Sequence, residues 1–397
     1  MTGLGSPASA PLATPERPWL GLRAYTPTTA AYFYGREREI DDLFRRISLR
    51  PLTLLYGKSG LGKTSLLGAG LWPRLKVEGW HPLLLRLRFD ADAPTLVEQV
   101  RAELAGVLGQ PPVPLWQQAF DPKWREAVQL QRPVLIFDQF EELFTLVAPS
   151  TENDAGARRP DRRDEAAALM AELAALIDRR PPGNQPIPDG YDWRESAVRI
   201  VLTLREDYLH ELERWKKLIP ALMNNRVELR ELRGPDALDA VTRPASKGAQ
   251  ALIDTEVAQC LVCFVAQRTP DTPLDEIDAV PPLLSLLCTE LNEARLHSGA
   301  QQITQAQLQG QADQVLEHFY QRSFEGMPAG VPETVEALLI DSGSRIREAC
   351  SRDTVLSAMR AHGVQTPEAH LDRPCTRRSS CASGVCTPWA RIALSTV

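Results

Sequence analysis

A parallel α/β sheet with flanking helices, followed by an α-helical domain, is the fold class this sequence predicts, and three observations predict it. A glycine- and lysine-bearing loop, Gly57-Lys58-Ser59-Gly60-Leu61-Gly62-Lys63-Thr64-Ser65, lies between the apolar run Leu52–Tyr56 and the apolar helix start Thr64–Leu71. A second run, Val134-Leu135-Ile136-Phe137, ends on Asp138. From about Trp19 to Ala245 strand-like and helix-like segments alternate, whereas the chain after Pro244 is periodic in the helical sense only. Alternation of that kind argues for βαβ units and hence a parallel sheet.

In chain order, Met1 to Pro18 is rich in Ala, Pro, Ser and Thr. It has neither a basic start nor an apolar run, so it reads as a flexible leader over 1–17, not a signal peptide or membrane anchor. The first strand, Leu52–Tyr56, delivers the loop that fits G-x-x-x-x-G-K-[ST], the phosphate-binding P-loop or Walker A motif. Its glycines let backbone N–H groups curl around a β-phosphate, and the following helix N-terminus adds partial positive charge. Lys63 reaches the β/γ oxygens, and Thr64 offers a hydroxyl to Mg²⁺. A chance match is the bland alternative, and the strand and helix on either side argue against it.

Further strands are expected at Leu83–Phe89, Val134–Phe137, Val198–Leu204 and Arg226–Leu229, with helices at Thr95–Leu108 and Glu165–Asp178 between them. Val134–Asp138 has the Walker B form, a buried strand that brings a carboxylate beside the P-loop to hold Mg²⁺ through water. Any core strand can end in Asp, so this signal is weak alone and strong beside a P-loop. The loop from Arg180 to Tyr191, rich in Pro and Gly, is placed as a rim segment. Beyond the 18–245 core, Asp254 is expected to cap a helix to Gln267. Pro281-Pro282 opens one to His297, and Thr304 caps one to about Phe324, which gives a helical domain over 246–330. Shorter helices follow at Glu333–Ser342 and Arg352–Gly363.

The bulk numbers narrow the function class. Hydrophobic content of 43 % and charged content of 24 % are those of a soluble globular protein, and 397 residues allow two or three domains. The formal charge of −6 gives no support for a general nucleic-acid surface. Arg158, Arg159, Arg162 and Arg163 alternate with acids and read as a solvated stretch. No membrane span is expected, and the cytoplasm is the expected compartment. Seven cysteines in irregular positions are no disulfide framework. Cys260 and Cys263 lack a second pair, so they read as buried helix cysteines.

Taken together, these pieces resemble the STAND class of P-loop ATPases, AAA+-related signal-transduction switches, and within it the bacterial novel-STAND subgroup. The resemblance spans about residues 18 to 372. It is carried by Pro18-Trp19-Leu20-Gly21-Leu22, Tyr32-Phe33-Tyr34-Gly35-Arg36-Glu37-Arg38-Glu39, the Walker A loop, Asp138-Gln139-Phe140-Glu141-Glu142-Leu143-Phe144, Leu202-Thr203-Leu204-Arg205-Glu206-Asp207-Tyr208 and Val280-Pro281-Pro282-Leu283-Leu284. It implies ATP/ADP and Mg²⁺ as ligands, slow hydrolysis, self-association, and coupling of an unidentified sensor ligand to an effector. Gly35 and Arg36 would line the adenine pocket, Arg205 would sense the γ-phosphate, and Pro281-Pro282 would correspond to the proline of the lid. Each also suits a structural role: a helix start, a surface ion pair with Glu206 or Asp207, and a helix-opening proline.

Two departures stand out. Where many AAA+ relatives carry an acid directly after the Walker B aspartate, this chain has Gln139, and its carboxylates come at Glu141 and Glu142. Glu141 is the expected base, while a helix N-terminal acidic pair is the competing reading. The family's winged helix would start at 331–372, but the sequence from 373 to 397, with Cys375, Cys381 and Cys386, has no apolar periodicity and reads as a disordered, truncated or frame-shifted end. The rival function is an AAA+-like motor or loader on DNA, against which the charge and the lack of a basic, aromatic-interleaved helix both weigh. A guanine-reading N-K-x-D is absent from the sequence.

Overall fold

The computed structural model describes residues 13–89, 93–108, 114–120, 132–145, 162–180, 198–309 and 360. The expectations for the leader up to residue 12, the Arg180–Tyr191 loop beyond Arg180, the helices past residue 309, the winged-helix start and the cysteine-bearing tail lie outside them. Residues 36–230 form one compact unit, and Met1–Gly35 with Glu231–Val397 form the other. The helix at Gly234–Ala245, which the sequence reading placed in the core, belongs to the second of these.

The unit Arg36–Arg230 is built on five parallel strands: β1 (Leu52–Gly57), β2 (Trp80–Leu85), β3 (Arg132–Phe137), β4 (Arg199–Arg205) and β5 (Arg226–Glu228), in the spatial order β2-β3-β4-β1-β5. The central strands are continuous apolar runs because helices cover the sheet. Leu54, Leu135, Phe137, Ile200 and Leu202 share one cluster with Val100 and Leu104 of the helix Leu96–Leu108 and Leu169 and Leu173 of the helix Arg162–Asp178. Helix α1 (Glu37–Leu49) buries Leu43 and Ile47 and packs on β1 and β4. Thr95 starts the Leu96–Leu108 helix with a capping box, its amide donating to Glu98 Oε2 at 2.9 Å.

Two local features differ from expectation. β2 begins three residues earlier than predicted, at Trp80, and ends at Leu85. As an edge strand it tolerates Pro82, and its ladder stops where β3 ends at Phe137. The helix after the loop is not uniform. Lys63–Ser65 is α-helical, Leu66–Leu71 is a π-turn, and Trp72–Val77 resumes the α-helix. Pro73 lacks an N–H and clashes in a regular helix, and the wider turn ahead of it relieves that conflict.

In the other unit, residues 13–35 pack with the helices Gly234–Ala245, Thr255–Val265 and Pro281–Ser298. Residues 13–17, read from sequence as the end of a flexible leader, instead form a turn with a Thr14–Arg17 bridge. Arg17 pairs with Glu293 at 2.7 Å, and Asn292 Nδ2 donates to the Glu16 carbonyl at 2.8 Å. Trp19 is buried with Ala237, Val241, Leu261, Leu287 and Leu291. A short antiparallel pair, Leu232–Arg233 with Asp278–Ala279, also appears in this unit, where no strand was expected beyond Pro244. Asp254 sits at the N-cap of Thr255–Val265, yet its carboxylate accepts from Gln302 Nε2 at 3.2 Å and makes no cap bond. Thr304 behaves as expected, its amide donating to Gln307 Oε1 at 3.0 Å.

Candidate nucleotide site

β1 ends on Gly57, and its partner strand explains that glycine. A Cβ there would lie 2.3 Å from the Leu229 carbonyl oxygen, the same residue whose amide donates to Tyr56 O at 2.7 Å. Gly62, at the end of the loop, has φ +88° with open space around it, so its need is conformational, not steric. Between them Lys58 is exposed, Ser59 and Gly60 are partly buried, and Leu61 is buried. Ser65 is buried one residue past Thr64.

Lys63 folds its ammonium back over the loop, donating to the carbonyls of Gly57 at 2.8 Å and Lys58 at 2.9 Å. Burial pulls its pKa below the usual lysine range, with the charges of Glu141 and Asp138 pulling the other way. The first two carbonyls of the loop thereby hold the Lys63 ammonium over it.

The Walker B carboxylate meets this loop directly. Thr64 Oγ1 donates to Asp138 Oδ2 at 2.8 Å, although β4 intervenes between β1 and β3 in the sheet. Asp138 is buried, and its other oxygen accepts from Thr203 Oγ1 of β4 at 2.9 Å. A hydroxyl and a carboxylate converging at hydrogen-bond distance are hard oxygen donors that fit Mg²⁺, a cation that keeps waters and takes few protein ligands. Among the described residues no group of three or more His, Cys, Asp or Glu side chains forms an all-protein metal cage.

The two acids after the Walker B strand separate. Glu141 is influenced by Lys63, Asp138 and Arg205, and burial raises its carboxyl pKa above the ordinary range. Glu142 opens a short helix, Glu142–Thr145, and faces Arg86 at 3.6 Å. Burial raises it to about 7, with Arg86 offsetting part of that rise. Arg205, the last residue of β4, pairs with Asp207 and lies 5.6 Å from the Tyr208 ring, as the surface-pair alternative anticipated. Its Nε is nevertheless buried without a hydrogen-bond partner, as are Glu141 Oε2 and Gln139 Oε1.

Arg36, which the resemblance assigned to the adenine pocket, is anchored beside the phosphate loop. Its guanidinium is 4 % exposed and donates to Glu39 Oε1 at 2.6 Å, to the Leu61 carbonyl at 3.3 Å and to the Arg230 carbonyl at 2.7 Å. With those partners it braces the tip of the P-loop. Gly35, at φ +82°, belongs to the other unit, where a Cβ would meet the Asp236 carbonyl oxygen at 2.2 Å.

Thr203 is the residue that sequence reasoning missed. Its signal was present: a hydroxyl in the middle of Val198–Leu204, an otherwise aliphatic buried strand apart from Arg199.

A family model described as Novel STAND NTPase 1 matches residues 18–369, and the chain belongs to that family. Among curated proteins none matches it. Similar solved structures include the ORC2 protein of Aeropyrum pernix in ADPNP–ADP complexes, at 14 % identity over 83 % of this chain and 86 % of that one, with a TM-score of 0.46. The ORC1 protein of the same organism in complex with DNA matches at 12 % identity over 83 % and 84 %, with a TM-score of 0.46. Cdc6p from Pyrobaculum aerophilum matches at 15 % over 82 % and 79 %, with a TM-score of 0.42.

Proposed function

We propose that this member of the novel STAND NTPases is an ATP-binding, slowly hydrolysing switch whose nucleotide state sets its conformation and assembly, and so couples a sensor to an effector. The observation that carries the nucleotide reading is the Thr64–Asp138 hydrogen bond, which joins the phosphate loop to the Walker B carboxylate. The signalling role is supported by the family alone.

In this reading Lys63 exchanges its two loop carbonyls for the β- and γ-phosphate oxygens, and the N–H groups of Gly60 to Thr64 take the β-phosphate. Thr64 and Asp138 would hold Mg²⁺, which supplies positive charge to the phosphates. Glu141, set beside Lys63 and Arg205 with its carboxyl pKa raised by burial, takes the proton of the attacking water. Arg205 responds to the γ-phosphate charge, and its unpartnered Nε is the donor free to do so. Arg36 keeps the loop in shape by holding Leu61.

Calorimetry of ATP binding tests the reading. Lys63→Ala removes the cation on the phosphates and is expected to cost more than ~2 kcal/mol of binding free energy. Unchanged affinity in the folded variant would end the nucleotide assignment.

A further inference from the structure

Thr203 is a hydroxyl in a place that packing alone would give to valine. It lies at 0 % exposure inside β4, a strand position where a β-branched aliphatic side chain packs well. Burying a hydroxyl without a partner costs free energy, so its hydrogen bonds explain its presence. β4 pairs with β3 only as far as Leu202 opposite Phe137, while on its other side it runs beside β1 to Arg205 opposite Gly57. Thr203 is thus fixed from β1, opposite Leu55, and stands one residue past the end of the β3 ladder.

Three hydrogen bonds join it to the three successive residues that follow β3. Its Oγ1 donates to Asp138 Oδ1 at 2.9 Å and accepts the Gln139 N–H at 3.1 Å, and its carbonyl accepts the Phe140 N–H at 2.7 Å. A backbone amide only donates, so the hydroxyl accepts from Gln139 and keeps its single proton for Asp138. The turn 138–141 that this anchors carries Glu141, and it includes Gln139 at φ +59°, a left-handed conformation that costs a residue with a side chain free energy. The other Asp138 oxygen accepts from Thr64 Oγ1 at 2.8 Å. The two hydroxyls are not equivalent. Thr64 stands in the phosphate loop, where its oxygen can turn to a cation and give up the bond to Asp138, whereas the bonds of Thr203 all run to the turn.

We propose that Thr203 is a positioning residue of the nucleotide site, holding the Asp138 carboxylate ready for Mg²⁺ and tying it to the turn that carries Glu141. The inference rests on the nucleotide-switch reading above. When Thr64 gives up its bond in favour of the cation, Thr203 is the hydroxyl that still fixes Asp138. A carboxylate without it is free to rotate and has to be ordered as the metal binds, which lowers affinity. The same loss leaves the Gln139 N–H without its acceptor, so the left-handed residue loses what holds it. Hydrogen-bond partners behind a metal ligand are worth about 10–100-fold in metal affinity or activity. β4 suits the role by position: it lies between β1, which leads into the phosphate loop, and β3, which leads to Asp138.

The experiment compares the full chain with Thr203→Val, which keeps the shape and removes the hydroxyl, and Thr203→Ser, which keeps the hydroxyl and removes the methyl group. Thr203→Ala is made beside them, so that loss of the hydroxyl is read in a second variant. ATP affinity is measured by calorimetry with EDTA present and then across a Mg²⁺ titration. Hydrogen exchange at the Gln139 amide is followed without metal, with the Phe140 amide, whose acceptor is the Thr203 carbonyl, as reference. Thr203→Val is expected to bind metal-free ATP as the unmutated chain does and to need about tenfold or more Mg²⁺ for half-maximal enhancement. Its Gln139 amide is expected to exchange faster, while Thr203→Ser stays close to the unmutated chain in both readouts. An unchanged Mg²⁺ midpoint in the folded variants that lack the hydroxyl overturns the proposal. So does an equal loss in Thr203→Ser, which would assign the effect to the methyl group, or a matching loss of metal-free ATP binding, which would mark a structural strand position. ATP binding by the unmutated chain that does not respond to Mg²⁺ overturns this inference and leaves the nucleotide reading standing. Failure of the unmutated chain to bind ATP at all overturns the nucleotide reading itself, and this inference with it.

Discussion

Glu141 and Glu142 are neighbours in sequence, yet their surroundings give them different chemistry. Glu141 shares its space with Lys63 and Arg205, and Glu142 is turned toward Arg86. Glu141→Gln is therefore expected to keep ATP binding and lower turnover by about 10²-fold, with Glu142→Gln close to the unmutated rate. The reverse result in a single-turnover assay would exchange their roles. Glu142 has its own signature in stability. Its folded pKa of about 7 lies above the ordinary 4.5, so the folded state holds a proton that the unfolded state has released. Stability is then present at low pH and falls as the pH rises from about 4.5 to about 7. Glu142→Gln removes that fall, so its melting temperature relative to the parent is expected to be higher at pH 8 than at pH 5. An unchanged difference between the two pH values would show that Arg86 already compensates the charge. Sequence made Lys63, Thr64 and Asp138 legible because a contiguous motif fixes them. It hid Thr203, whose partner Asp138 lies 65 residues away, and it could not give Gln139 a backbone conformation.

At the level of elements, the phosphate loop depends on the strand beside it. β5 contributes only three paired residues to β1, and its continuation at Leu229 lies against Gly57. Gly57→Ala drives a methyl group to 2.3 Å from the Leu229 carbonyl oxygen, a backbone atom that moves only if β5 moves. The expected result is a loss of about 2 kcal/mol or more by denaturant unfolding, typical of overpacking and strain at a special backbone position. Faster hydrogen exchange at the Leu229 amide, now bonded to Tyr56 O, should accompany it. A stable variant with a protected Leu229 amide would mean that the close approach is easily relieved. The strands were legible as apolar runs, and their ends were not. The Trp80 ring, flanked by Arg132 at 5.4 Å and Arg199 at 5.5 Å, starts β2 earlier through contacts that come from other strands. The π-turn before Pro73 answers that proline locally, and a hydrophobic period does not reveal it.

On the scale of the whole molecule, the chain enters the nucleotide unit at Arg36 and leaves it at Arg230, so that unit is inserted into the other. Local patterns showed helices after Pro244 but not that residues 13–35 return to pack with them, because that pairing joins the two ends of the described chain. Arg36 gives this arrangement a consequence for switching. One guanidinium holds both the Leu61 carbonyl of the phosphate loop and the Arg230 carbonyl at the exit, so a change in the loop is one hydrogen bond from the crossing. If Arg205 reports the γ-phosphate through the same loop, ATP and ADP are expected to give different tryptic cleavage after Arg230, whose side chain is 76 % exposed. Arg205→Ala is expected to bring the two digestion rates together while changing ATP affinity by less than about tenfold, since Lys63 and the loop amides carry most of the phosphate binding. A ligand shifts such an equilibrium only by its differential affinity for the two states, and the γ-phosphate is all that separates ATP from ADP. Identical cleavage with both nucleotides in the unmutated chain would mean that the γ-phosphate does not reach the crossing. Persistence of the difference in Arg205→Ala would move the sensing to another of the groups around Lys63.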